Sequence, residues 1–89
     1  MNYAERWELL VDRAVQKRLQ SIPKKDSRRI LLAIAELVVN PYSGDVSKMQ
    51  GEDDVWRRRV GAYRIFFEVL QGKRIVHVYH VERRTSATY

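Results

Sequence analysis

Three consecutive arginines, Arg57, Arg58 and Arg59, precede Arg64 across a Gly61-Ala62 pair, and Arg83-Arg84 closes the last strand-like run. The guanidinium fork donates two parallel hydrogen bonds to phosphate oxygens and does not deprotonate in a protein. A cluster of such groups can hold a polyanionic backbone. It can also stabilise the negative charge that grows on phosphorus when a neighbouring 2′-hydroxyl attacks, a metal-free route to a 2′,3′-cyclic phosphate and a free 5′-hydroxyl. The plainer alternative is a solvated basic face or a surface for an acidic partner protein. Strand alternation predicts that Arg57 and Arg59 share one face, while Trp56, Arg58 and Val60 share the other. Trp56 and Val60 suit a core, so Arg57 and Arg59 should point away from it. Arg58 should sit at the sheet margin with its head group in water. With Arg64 just across the turn and Arg83 and Arg84 at the final strand end, four or five guanidinium groups are expected on one patch. No carboxylate is expected among them.

Other side chains are weaker candidates. Tyr89 could stack on a base or carry a proton, the latter only if neighbouring arginines lower its phenol from the ordinary value of about 10. His77 and His80, three residues apart, are expected on opposite faces of the last strand, with His80 within reach of the basic patch. A strand histidine is more often structural. Tyr63, Phe66, Phe67 and Tyr79 read first as core or cross-strand pairs and only secondarily as a platform for bases. No Gly-rich phosphate loop, zinc-ligand spacing or Cys–His arrangement is present, so no metal and no cofactor is expected. Glu52, Asp53 and Asp54 read as a solvated loop.

The elements that must carry these residues fit into 89 positions, read as a single domain over residues 1–89. The net charge of +6 is unevenly spread: residues 1–54 hold nine Lys/Arg and nine Asp/Glu, and residues 55–89 hold eight Lys/Arg and two Asp/Glu. All the excess charge lies in residues 55–89, which suits a polyanion or an acidic protein. The absence of cysteine excludes disulfides and thiolate metal sites, and no apolar run approaches a membrane span. A soluble cytoplasmic protein with no membrane partner is expected.

Along the chain, Trp7–Val11 reads as a short strand. Asp12 is placed to cap a helix with apolar Ala14, Val15, Leu19 and Ile22, which Pro23 stops. Asp26 offers a second cap before Ile30, Leu31, Ala33, Ile34, Leu37 and Val38, whose spacing predicts a second helix ending at Asn40-Pro41. Residues 41–54 read as a loop. Three strand-like runs follow, 55–60, 63–70 and 74–81, joined by short glycine-containing turns that force antiparallel neighbours. The predicted order is β-α-α-β-β-β: an α+β fold with a small, mainly antiparallel sheet and an α-hairpin on one face.

The run WRRRVGAYRIFFEV resembles the signature of the RelE/ParE toxin superfamily, a basic-x-Arg-Val-Gly-x-Tyr-Arg run followed by an apolar strand. The likeness extends through WELLVDRAVQKRLQSIP, through NPYSGDVSKMQGEDDVW with its Lys-hydrophobic-x-Gly element at Lys48, and through the basic end VERRTSATY. The resemblance implies a type II toxin neutralised by a cognate antitoxin, reaching operator DNA only through that antitoxin. In the RelE branch it implies an endoribonuclease that cuts messenger RNA on the ribosome and so inhibits translation. Carried over by position, Arg57 and Arg59 match residues that hold substrate phosphate; Lys48 and Arg83 are expected as further phosphate ligands. Arg64 matches the arginine that stabilises the transition state, Arg84 a general acid, and Tyr89 a general base or stacking group. Family lysines are arginines here, which are poor proton carriers. The ParE branch implies a gyrase poison instead, and an inert module acting only as a repressor with its antitoxin is the third alternative.

Overall fold

A computed structural model describes residues 7–84 of the chain. The elements are β1 (Glu8–Val11), α1 (Arg13–Gln20), α2 (Lys24–Val39), β2 (Val46–Lys48), β3 (Val55–Val60), β4 (Tyr63–Leu70) and β5 (Ile75–Arg83). The strands form a five-stranded sheet in the order β1-β5-β4-β3-β2. From β2 onward every neighbour is antiparallel, as short connections require, whereas β1 runs parallel to β5, from which α1, α2 and three strands separate it in the chain; the α-hairpin carries the chain from β1 to β2 at the opposite edge of the sheet. No helix among the described residues is long and apolar enough to cross a membrane.

The core lies between the hairpin and one face of the sheet. Ile30, Ala33, Ile34 and Leu37 sit at helical spacing on the inner side of α2, and Val15 joins them from α1. They meet Ile65, Phe67 and Val69 of β4 and Val76, Val78 and Val81 of β5. β4 alternates strictly: Tyr63, Ile65, Phe67 and Val69 are buried, and Arg64, Phe66, Glu68 and Leu70 face the open side, half-buried. That pleat gives the sheet two faces of different chemistry.

Four local expectations are corrected. The turn-rich run 41–54 contains a strand, β2, whose Val46, Ser47 and Lys48 stand opposite Arg58, Arg57 and Trp56; three residues are too few to show alternation. Asp26 does not cap α2. The helix starts at Lys24 behind Pro23, whose φ of −56° suits a helix start, and Asp26 sits in the first turn accepting the Tyr63 hydroxyl at 3.0 Å. Asp12 occupies the N-cap position of α1 but makes no side-chain cap bond, because its carboxylate is taken by His77 at 2.7 Å. Finally, β5 carries a bulge. Phe66 stands opposite His80 and Phe67 opposite Val78, so Tyr79 is the extra residue. The bulge resets the alternation, and His77 and His80, opposite Glu68 and Phe66, share the open face instead of opposing faces.

Candidate phosphate-binding site

On the open face, Arg57, Arg59, Arg64 and Arg84 line one recess of about 200 Å³ together with Asp45 and Ser47. The pleat and the register bring them there. Arg57 and Arg59 are alternate residues of β3, and Arg59 stands directly opposite Arg64 of β4. Arg84 lies just past β5, held by its backbone N–H donating to the Ala62 carbonyl at 2.6 Å. Like charges directly opposite across a sheet destabilise it unless counter-charges stand nearby. Two do.

The Arg59 Nε donates to Asp45 Oδ2 at 3.0 Å, and the Arg59 backbone N–H donates to the Asp45 carbonyl at 2.9 Å. The Arg64 Nη1 donates to Glu82 Oε2 at 3.4 Å, and Arg57 Nη2 makes a long bond to Ser47 Oγ at 3.4 Å. The expected patch without carboxylates is therefore corrected: one carboxylate arrives from the loop before β2 and one from β5. Both pairs are exposed or half-exposed, with 53% and 64% of the Arg59 and Asp45 side chains accessible. Ion pairs of this kind are worth little in water, so a phosphate can compete for the same guanidinium groups.

Arg58 lies on the helix side, as the alternation predicts, but its head group is largely withdrawn from water instead of extending into it. Its side chain is only 12% exposed, and it closes on Glu36 of α2 at 2.8 Å and on the Ser43 carbonyl at 3.3 Å. It packs so closely under Gly44 that a Cβ there would come within 2.4 Å of its Cζ, and Gly44 has φ of +80°. The glycine is needed twice over, for its dihedral and for the room it leaves. This contact fixes the loop that delivers Asp45 and Ser47 to the recess.

The remaining candidates lie elsewhere. Arg83 stands opposite Tyr63 on the helix side and does not line the recess. Lys48 stands opposite Trp56 and borders a separate hollow with Gly51, Glu52 and Asp53. His80 does not line the recess and approaches it through Glu82, whose Oε1 is 3.3 Å from its Nε2. Tyr89 lies outside the described residues. No group of three or more His, Asp or Glu among the described residues is arranged to hold a metal ion. The sequence reading missed Asp45, Ser47 and Glu82. Glu82 could have been found from the register of β4 with β5, and the other two only by recognising β2.

Comparison with known proteins places this geometry in context. Residues 7–87 match the family described as the ParE toxin of type II toxin-antitoxin systems, parDE. RelE1 of Methanocaldococcus jannaschii is 29% identical over 80 residues, covering 86% of this chain and 89% of that protein. One chain of the crystal structure of the archaeal RelE-RelB complex from Pyrococcus horikoshii superposes with a TM-score of 0.81 at 29% identity, over 91% of this chain and 98% of the other. The isolated E. coli RelE toxin shares the fold, with a TM-score of 0.79 at 18% identity over 91% and 87% of the two chains.

Proposed function

The chain belongs to the ParE toxin family of type II toxin–antitoxin systems, within the RelE/ParE superfamily, and on that premise we propose that it is an endoribonuclease that cuts messenger RNA on the ribosome. It is a RelE-like toxin whose protein partner is an antitoxin. The observation that carries the nuclease reading is the gathering of four guanidinium groups in one open-face recess. Arg57 and Arg59 hold the scissile phosphate. Arg64 neutralises the charge added to phosphorus as the 2′-oxygen bonds to it, and Arg84 faces the 5′-oxygen as its bond to phosphorus breaks. Because arginine neither gives nor takes a proton here, the 2′-proton passes to water, or to the Tyr89 oxygen when that phenol is already ionised, and the leaving oxygen is protonated from water. Lys48 and Arg83 lie outside the recess, so any phosphates they hold are neighbouring ones along the strand.

The test is a cell-free translation mix in which messenger RNA 5′ ends are mapped. Wild type should generate new 5′-hydroxyl ends, the Arg57→Ala/Arg59→Ala variant should not, and Arg64→Ala should cut about 10²–10³-fold more slowly. Unchanged cleavage by these variants overturns the site. The ParE description of the matching family favours one second reading, a gyrase poison. It is distinguished by cleaved DNA trapped in a supercoiling assay while messenger RNA stays intact.

A further inference from the structure

Beside the arginine recess the open face carries a group of aromatic rings. Phe66 is the residue directly opposite Arg57 on one side and His80 on the other. Its ring centroid lies 5.3 Å from His80 and 6.5 Å from Tyr79, and Tyr79 in turn lies 6.0 Å from His77. The bulge in β5 makes this possible. In an unbroken strand Tyr79 and His80 would point to opposite faces, whereas here both rings meet Phe66 on the open side. The helix side loses nothing by it, since Val78 and Val81 fill the core there. Side chains on neighbouring strands of one face stand about 5 Å apart, so the rings begin one strand spacing from Arg57.

We propose that Phe66, Tyr79 and His80 form a stacking shelf for the bases of single-stranded RNA whose phosphate lies in the arginine recess. The proposal rests on the RNA-binding reading and adds the subsite that takes the base. Every base has a π-face, so such a shelf tolerates sequence, and it selects single strands because paired bases cannot splay onto it. The Tyr79 hydroxyl and the His80 imidazole add polar edges that an unpaired base can bond. Continuity with a cationic recess, whose guanidinium groups keep donors free beside Asp45 and Glu82, is what fits RNA here in preference to an apolar protein segment, which could not use those donors.

The experiment measures binding of a short, noncleavable 2′-O-methyl oligoribonucleotide and of a matched oligonucleotide with an abasic residue, keeping every phosphate. Phe66→Leu and Tyr79→Leu should each weaken binding of the intact strand about 10-fold and leave the abasic strand unchanged. Phe66→Trp should restore binding to the wild-type level, which also covers the case that Phe66→Leu folds poorly. Arg57→Ala should weaken both probes alike. The shelf is overturned if the leucine variants bind the intact strand like wild type, or lose both probes equally. It is also overturned if they weaken antitoxin binding while RNA binding holds. If wild type and Arg57→Ala bind RNA equally, the recess reading itself fails, an outcome distinct from failure of the shelf alone.

Discussion

Removing the His77 imidazole should cost stability below its titration and almost none above it. His77 Nε2 lies 2.7 Å from Asp12 Oδ1, and Nδ1 lies 2.9 Å from Glu68 Oε1. Both ring nitrogens can donate only in the imidazolium form. The bond to Asp12, and then the bond to Glu68, raise the pKa above its ordinary 6.5, against the opposing effect of burial. A folded-state pKa above the unfolded one means that the native state holds the proton more tightly. The stabilisation is therefore complete below 6.5, the unfolded value, and is lost as pH rises through the raised folded value. Two charge-assisted bonds approach about 3 kcal/mol at the low end of their range. The carboxylates are 47% and 38% exposed, and solvent screening cuts this to about 1–2 kcal/mol. For a chain of this size that is about 5–10 °C in Tm. Thermal and urea unfolding of wild type and His77→Gln, at about pH 5.5 and about pH 9, should show the gap only at the lower pH. A gap that stays constant, or widens as pH rises, refutes the argument.

Phe67 is fully buried at the centre of the core, so Phe67→Ala should lose about 3–5 kcal/mol in urea unfolding with the m-value unchanged. A loss under about 1 kcal/mol would show that the hairpin does not close on the sheet as described. The two β3 arginines of the recess should register as counterion release. Arg57→Ala/Arg59→Ala should reduce the slope of log K against log salt for single-stranded RNA by about 1.4, and an unchanged slope removes both residues from the phosphate contacts.

How much of this was legible in the sequence depended on how many residues each signal spans. The second helix showed itself because Ile30, Ala33, Ile34 and Leu37 repeat at helical spacing over two turns. The facing of Arg57 and Arg59 followed from Trp56 and Val60 wanting the core, a period-2 argument needing only five residues. β2 did not show, since Val46–Lys48 is too short for any period and is a strand only because β3 lies beside it. The bulge at Tyr79 was equally hidden. It is a property of the pairing with β4, and without it counting residues puts His80 on the wrong side. Asp12 and Asp26 were assigned to caps on local grounds, and each found a better partner across the fold, His77 and Tyr63. Local preference loses where a long-range partner offers a stronger bond.

The three consecutive arginines show how burial divides one residue type between two jobs. Arg58, 12% exposed, is locked to Glu36 and to a loop carbonyl, and truncating it would leave a glutamate without its partner and a loop without support. Its neighbour Arg59 is 53% exposed and bound to an even more exposed Asp45, a pair that water already weakens. Arg64, at 32%, is held by Glu82 at a long 3.4 Å. Exchanging such contacts for a phosphate costs little, because the native pairs contribute at most about 1 kcal/mol each, while bidentate phosphate contacts are stronger. The carboxylates thus do not cancel the site. They let several guanidinium groups fold close together without ligand, and each engages a single guanidinium nitrogen, leaving the others of the fork to a phosphate.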